Sequence, residues 1–374
     1  MVKPLPWFGL SYNRASSFLP QPPAVDLTGT VLPNTYGHGH DMGAFVNLLG
    51  EKLVLSVKFY KQDNINDRTA NSTIGTRIAR IDAGLLLPST SADTFSLYNF
   101  ALNVAQGRLG PNATTDQLAT EAAKITQFPA SFQSAIAANN AGSAIRGTAD
   151  TEAKGAELEL TYNPMNNWNI KFSGAQTETI NTTIENNFAD YIALRLPYWL
   201  SVKDDAGNPW WTSTALNAQS AQNFYASSVS AQLKIDQALL GKANPQVKKY
   251  TWRLLSNYRF VTGPLKDFAV GGAVRWDDKS VIGYLGATPD SDGVVRSLDV
   301  NKVAYDPARY SADLWTSYAT KFFRESIRTR FQLNLQNAFE KGRLQTIGVN
   351  PDGSPFNYRI IAPRKLVFST TFEF

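Results

Sequence analysis

The chain has 374 residues, a formal net charge of +5, 12% aromatic residues and no cysteine. The missing cysteines exclude a disulfide framework, a thiolate metal site and a Cys nucleophile. No stretch reaches the roughly 18 apolar residues of a spanning helix, and Lys and Arg are too scattered to mark nucleic acid as a partner.

The start, Met1-Val2-Lys3-Pro4-Leu5-Pro6, runs directly into Trp7 and Phe8 and has none of the regions of a signal peptide. Period-two alternation then recurs about ten times, which marks strands with one apolar face. Expected strands are 8–13 and 42–48, followed by one in which Leu53, Leu55, Val57 and Phe59 oppose Ser56, Lys58 and Tyr60. Ala156, Leu158, Leu160 and Tyr162 oppose Glu157, Glu159, Thr161 and Asn163, and Trp168, Ile170 and Phe172 oppose Asn169, Lys171 and Ser173. Tyr250, Trp252, Leu254, Tyr258 and Phe260 alternate with Thr251, Arg253, Asn257 and Arg259. Phe268, Val270, Val274 and Trp276 alternate with Ala269, Gly271, Ala273, Arg275 and Asp277. Strands at 310–318 and 366–374 flank the clearest case, where Phe331, Leu333, Leu335 and Phe339 oppose Arg330, Gln332, Asn334 and Gln336.

Short connections fall at 50–51, 164–167, 262–267 and 323–327, and long ones at 18–39, 66–150, 181–247, 285–307 and 341–363. Long and short take turns, as in an antiparallel meander with tight turns on one side of a membrane and loops on the other. A soluble sandwich has no reason to place every long connection at one end. Helical spacing over 91–106, 115–137 and 184–200 puts helices inside the two longest loops. Trp7, Trp168, Phe260, Phe268, Phe322 and Phe374 gather towards the short-turn side, as a headgroup-level aromatic girdle would.

The charged set Glu157, Glu159, Lys171, Arg253, Arg259, Arg275, Asp277 and Arg330 shares the polar face. In a dry core these groups would be costly, whereas in a water-filled lumen they need only pair or hydrate. They are lumen-facing candidates for contact with ligand or another protein segment. His38 and His40, with Asp41, are too few for a metal site, which wants three or four ligands. Asp290, Asp292 and Gly293 begin like a calcium loop but lack its closing Glu, so they read as a turn. No phosphate-binding glycine loop or nucleophile elbow occurs, so no catalytic residue, cofactor or metal is expected.

The last strand, 365–374 (KLVFSTTFEF), resembles the C-terminal strand of outer-membrane barrels. Leu366, Phe368, Phe372 and Phe374 supply its alternating hydrophobics and terminal aromatic. In the signal read by the barrel insertion machinery, Ser369 stands where Gly is usual and Val367 where a polar residue is usual. Four internal blocks resemble TonB-dependent receptors: 11–20 (SYNRASSFLP), 154–169 (KGAELELTYNPMNNWN), 271–284 (GGAVRWDDKSVIGY) and 335–340 (LQNAFE). Together these cover most of the strand-forming chain but not the two longest loops.

The resemblance implies an all-β, antiparallel transmembrane β-barrel of about ten strands, a partial barrel with long, partly helical extracellular loops. Residues 1–374 would be the C-terminal part of the barrel, with signal peptide, plug domain and further strands lying outside the chain. The implied site is the cell outer membrane. The implied function is active uptake of a scarce nutrient (siderophore, vitamin or glycan), captured by the loops and driven inward by the TonB complex acting through the plug. Partners would be outer-membrane lipid, plug and remaining strands, TonB, the insertion machinery and a small-molecule or glycan ligand. The alternatives are a self-contained ten-stranded barrel enzyme of protease type, which needs Asp/His pairs at the rim, and a passive porin.

Overall fold

The computed structural model describes residues 1–69, 72–83, 95–127, 145–215, 218–289, 291, 295, 297–322 and 327–373. Among the described residues eleven strands form one antiparallel sheet. Its order is β1 (Val2–Leu5), β2 (Phe8–Leu19), β3 (Thr35–Leu48), β4 (Leu53–Arg68), β5 (Thr148–Met165), β6 (Trp168–Ile184), β7 (Tyr250–Arg259), β8 (Phe268–Asp277), β11 (Arg309–Phe322), β12 (Ile327–Gln336) and β15 (Lys365–Glu373). Sheet neighbours follow sequence order, so the sheet is a meander. Two separate hairpins sit in its long connections: β9 (Val281–Gly286) with β10 (Leu298–Tyr305), and β13 (Arg343–Val349) with β14 (Pro355–Ile361).

All ten expected strands are in the sheet, and most run further than the alternation showed. Three features depart from expectation. β1 is a four-residue edge strand containing Pro4, a residue that edges tolerate because no ladder donor is needed there. The segments 285–307 and 341–363, expected as plain loops, hold the hairpins. The first is hidden from pattern reading because Val281, Ile282 and Tyr284 are all buried and break the alternation. β12 ends at Gln336, where Asn337 turns to φ 49°, so Phe339 leaves the strand and is 84% exposed.

Cross-strand register fixes the two faces. The apolar set of each strand pairs with the apolar set of the next: Leu55 with Leu160, Leu160 with Phe172, Phe172 with Leu254, Leu254 with Val274. Farther on, Leu333 pairs with Phe368. None of these side chains is buried: Leu55, Leu160, Phe172 and Val274 are half-buried, while Leu254 is 40% and Phe368 65% exposed. A sheet that exposes one apolar face and turns a polar one the other way suits lipid on one side and water on the other.

The register also shows the tilt. One paired row runs from Leu48, beside the β3–β4 turn, through Leu53, Tyr162, Ile170, Ser256, Gly272, Leu314 and Leu335 to Leu366, beside the long β12–β15 connection. A row that starts at the short-turn end thus finishes at the long-loop end. The apolar belt therefore slides by roughly one residue per strand, as it must for strands tilted about 35–45° to the membrane normal.

On the polar face, aromatic rings lie over glycines of the neighbouring strand. Tyr60 crosses Gly155 to reach Thr177, Oη to Oγ1 3.0 Å, and Trp315 crosses Gly271 to donate from Nε1 to Asn257 Oδ1 at 2.9 Å. A Cβ on Gly271 would come within 2.3 Å of the Trp315 ring, and one on Gly155 within 2.0 Å of the Gln176 carbonyl oxygen. Glycine here is space for a ring. Gly271→Val should displace Trp315, break its bond to Asn257 and cost about 1–3 kcal/mol, read as a lower urea midpoint of the folded protein. An unchanged midpoint would remove the ring-over-glycine account.

Candidate functional site

The buried core lies in the connections rather than in the sheet. The β4–β5 and β6–β7 connections fold together as one helical body on the long-loop end. Its helices are α1 (Ser72–Ala83), α2 (Leu97–Leu109), α3 (Thr115–Thr126), α4 (Asn186–Ser201), α5 (Ala221–Tyr225) and α6 (Ala231–Ala238), with a π-helical turn, Ala226–Ser230, between the last two. Ile74, Ile78 and Ile81 recur at helical spacing and bury one face of α1 against Phe188, Tyr191 and Trp199 of α4. α3 starts with a capping box, Thr114 Oγ1 accepting from Gln117 N at 3.3 Å and Gln117 Oε1 from Thr114 N at 2.9 Å. Trp199 and Trp211 stack at 5.8 Å, and Trp211 leans on Tyr225 at 5.6 Å.

At the centre sits a carboxylate. Asp82, 1% exposed, accepts from Arg195 at 2.7 Å and 3.2 Å, from Tyr191 Oη at 2.7 Å and from Trp199 Nε1 at 2.9 Å. Arg195 also donates to the Thr126 carbonyl at 3.1 Å, the end of α3. One buried ion pair thus ties α1, α3 and α4, from both long connections, into a single block. A second carboxylate joins the β6–β7, β8–β11 and β12–β15 connections. Asp306 accepts from Lys248 at 2.5 Å, from Ser280 N at 2.6 Å and from Gln345 Nε2 at 2.9 Å. Burial opposes the Asp306 charge, but Lys248 and Ser280 together hold the carboxyl below its ordinary range.

A cleft of about 800 Å³ opens on this body beside Phe100, Asn103, Asp204, Asn208 and Thr212. Its acids are engaged: Asp204 accepts from Asn208 Nδ2 at 2.8 Å, and Asp205 pairs with Arg108 at 2.5 Å. A hollow of about 480 Å³ on the polar face of the sheet is lined by Asn13, Asp41, Lys58, Tyr60, Gln62 and Glu157.

Where α4 leaves β6, burial first and the Asp236 carboxylate second push the Glu185 carboxyl up to about 7. Among the described residues Glu185 Oε2 has no hydrogen-bond partner, and burial raises Asp236 in the same direction. A carboxyl raised in the fold favours the folded state when protonated. The Glu185 contribution to the stability of the helical body is therefore fully present below about pH 4.5 and is lost as pH rises through about 7. A thermal transition of the Trp199–Trp210–Trp211 fluorescence no lower at pH 8 than at pH 5 would contradict this.

The charged residues read from the sequence all fall on the polar face of the sheet but do not converge on one point. Glu157 faces Lys58, Glu159 lies between Ser56 and Ser173, and Lys171 between Thr161 and Leu255. Arg253 faces Arg275, a like-charge contact that Asp313 relieves at 2.6 Å from Arg275. Asp277 pairs with Arg309 at 3.0 Å and Arg259 with Asp267 at 2.9 Å, while Arg330 stands between Ala319 and Thr371.

In β15, Leu366, Phe368 and Phe372 lie on the apolar face and Ser369 on the polar face opposite Gln332. Phe374, Asp290, Asp292 and Gly293 lie outside the described residues. His38 and His40 are exposed in strand β3 rather than in a loop, and Asp41 turns to the other face to accept from Asn13 at 3.1 Å. Among the described residues no three potential metal ligands gather.

Asp82, Arg195 and Asp306 were not singled out from the sequence. Arg195 lies 113 residues from Asp82, and no local pattern links them. The only readable trace was a carboxylate beside the apolar stripe Ile74, Ile78 and Ile81.

No family model and no curated protein matches the chain. Solved structures do. The ferric preacinetobactin receptor BauA of Acinetobacter baumannii aligns over 100% of this chain and 35% of its own, with TM-score 0.50 and 12% identity. The pyoverdine outer-membrane receptor FpvA of Pseudomonas aeruginosa aligns over 98% and 34%, with TM-score 0.48 and 14% identity. The ferric-catecholate import receptor Fiu of Escherichia coli aligns over 98% and 33%, with TM-score 0.45 and 12% identity. The chain spans about a third of the length of the receptors it matches. With its belted, tilted meander and its likeness to BauA, the chain has an antiparallel β-barrel fold.

Proposed function

We propose that residues 1–374 form the C-terminal part of the barrel of a TonB-dependent receptor, which captures a scarce nutrient (a siderophore, a vitamin or a glycan) and imports it. The observation that carries the reading is the two-faced tilted sheet whose long connections all gather at one end as a built, ion-paired body. A passive pore has no need of such a body. The barrel-enzyme alternative lacks an Asp/His pair on the polar face, because the chain's two histidines, His38 and His40, are on the other one.

In this reading the apolar face meets lipid and the polar face lines the lumen. Glu157, Glu159, Lys171, Arg253, Arg259, Arg275, Asp277 and Arg330 then offer the plug and the passing ligand a hydrated, charged wall. Among the described residues β1 and β15 are the unpaired edges of the sheet. Unpaired backbone groups in lipid cost several kcal/mol each, so further strands are needed to close the barrel.

The test is uptake. A strain lacking the gene should lose import of one class among ferric siderophores, cobalamin and oligosaccharides, and regain it from the gene only when TonB is present. Restoration without TonB, or no loss in any class, would overturn the reading. A separate expectation concerns assembly. Deleting Phe374 should lower the amount of protein in the outer membrane without altering ligand affinity of what is inserted. Unchanged outer-membrane levels would remove the assembly role of 365–374.

A further inference from the structure

A second feature of the apolar face lies at its border with the long-loop end. On β2, β3, β4 and β5 the continuous apolar belt ends at Tyr12, Met42, Phe59 and Ala156, paired side by side, and a separate row of Phe18, Tyr36 and Ile65 stands three steps farther out on β2–β4. The next residue on the same face is basic in every one of these strands. Arg14 pairs with His40, His40 with Lys61, and Lys61 with Lys154, in one unbroken cross-strand row. The acids Asp63 and Glu152 come only one step farther from the belt and pair with each other. Farther round the sheet the border changes character. Trp252, Trp276 and Tyr310 cluster there instead, with ring centroids 6.3–6.5 Å apart. The basic row is thus confined to one sector and is not a ring.

The geometry points to a binding site for a phosphorylated glycolipid of the outer leaflet, lipopolysaccharide, with its acyl chains on the belt of β2–β5 and its phosphates on Arg14, His40, Lys61 and Lys154. Strands lie about 4.8 Å apart, so the row presents its donors along roughly 14 Å. That length suits a headgroup carrying more than one phosphate. Basic side chains at the edge of a bilayer keep their stems on the apolar surface and lift their charges to the headgroups. Glu152 holds Lys61 at 2.7 Å and Lys154 at 3.6 Å from the side away from the belt. Glu178, level with Lys154, is 3.8 Å from it. Exposed pairs of this kind are weak and leave the ammonium donors able to exchange partners. Arg14 and His40 have no carboxylate partner among the described residues, and an arginine fork fits phosphate oxygens two at a time. This inference rests on the membrane reading above, with the long loops on the outer side.

The experiment uses the full-length protein purified from outer membranes in mild detergent, with bound lipid counted by mass spectrometry. The combined variant Arg14→Gln, His40→Gln, Lys61→Gln, Lys154→Gln should keep at least about fivefold less lipopolysaccharide per barrel than the parent. A polar-face variant that also removes four basic groups, Lys58→Gln, Lys171→Gln, Arg253→Gln, Arg330→Gln, should keep as much as the parent. Rebinding of lipopolysaccharide stripped of its lipid phosphates should fall to the level of the row variant. Should the combined variant fail to insert, Arg14→Gln alone should still show a partial loss. Equal retention in row variant and parent, equal loss in the polar-face variant, or row-dependent retention of phospholipid only would each overturn the site. Labelling of the loops on whole cells decides the orientation separately, so failure of the site and failure of the membrane reading are told apart.

Discussion

Arginine placed at Leu254 or Leu333 is expected to destabilise the barrel by about 2–4 kcal/mol, whereas Asn334→Arg should cost about 1 kcal/mol or less. Leu254 pairs with Phe172 and Val274, and Leu333 with Thr316 and Phe368, so both sit well inside the apolar belt. A guanidinium there must either stay in hydrocarbon or drag water towards it. Asn334 is one residue from Leu333 and faces the other way, between Trp315 and Val367. An arginine at that position loses one bond, from Gln332 Nε2 at 2.7 Å, and gains a hydrated face. Asn257 is a poorer control, because it accepts from Trp315. Urea unfolding of the full-length protein in lipid vesicles measures the difference. Equal losses at Leu333 and Asn334 would mean that the two faces meet the same medium.

The second large effect lies outside the membrane. Removing one member of the buried pair, by Asp82→Ala or Arg195→Ala, should destabilise the helical body by about 3–5 kcal/mol. Asp82→Ala leaves the Arg195 charge buried and strips Tyr191 and Trp199 of their acceptor. Arg195→Ala leaves the carboxylate uncompensated and frees the end of α3. The double change Asp82→Leu, Arg195→Met should be milder than either single change, since apolar replacement of a whole buried pair is often near neutral. Hydrogen exchange reads the outcome locally. Amides of α1 and α4 should lose protection while those of β4–β8 keep theirs. Loss spread evenly through the sheet would show that body and barrel unfold as one unit.

The sheet was legible in the sequence because its physics is local. One-sided exposure to lipid imposes period-two alternation, and Leu333 against Asn334 displays it within two residues. The charged residues of the polar face were legible for the same reason: alternation alone assigns Arg253 and Arg275 to one side. Strand ends were not legible, because beyond the belt both faces are wet. The outward residues Lys61 and Asp63 of β4 are as polar as Gln62 between them.

The helical body was legible only in part. The spacing of α4 was read, and α1 carries an equally plain Ile74, Ile78, Ile81 stripe, but no local pattern says that both pack on a shared Asp82. The hairpin β9–β10 was hidden because its strand β9 is buried on both sides and does not alternate. The basic border row is invisible along the chain, since Arg14, His40, Lys61 and Lys154 become neighbours only through register.

The central claim is that this sheet spans the outer membrane with its long connections outside and its short turns inside. These 374 residues hold no cysteine, so a cysteine introduced among them is the only one the sheet and its connections carry. Ala206 is exposed in the helical body and Lys52 in the β3–β4 turn. In the full-length protein a membrane-impermeant maleimide should label Ala206→Cys on intact cells, and Lys52→Cys only after the outer membrane is permeabilised. Labelling of both on intact cells, or of Lys52→Cys alone, would contradict the account.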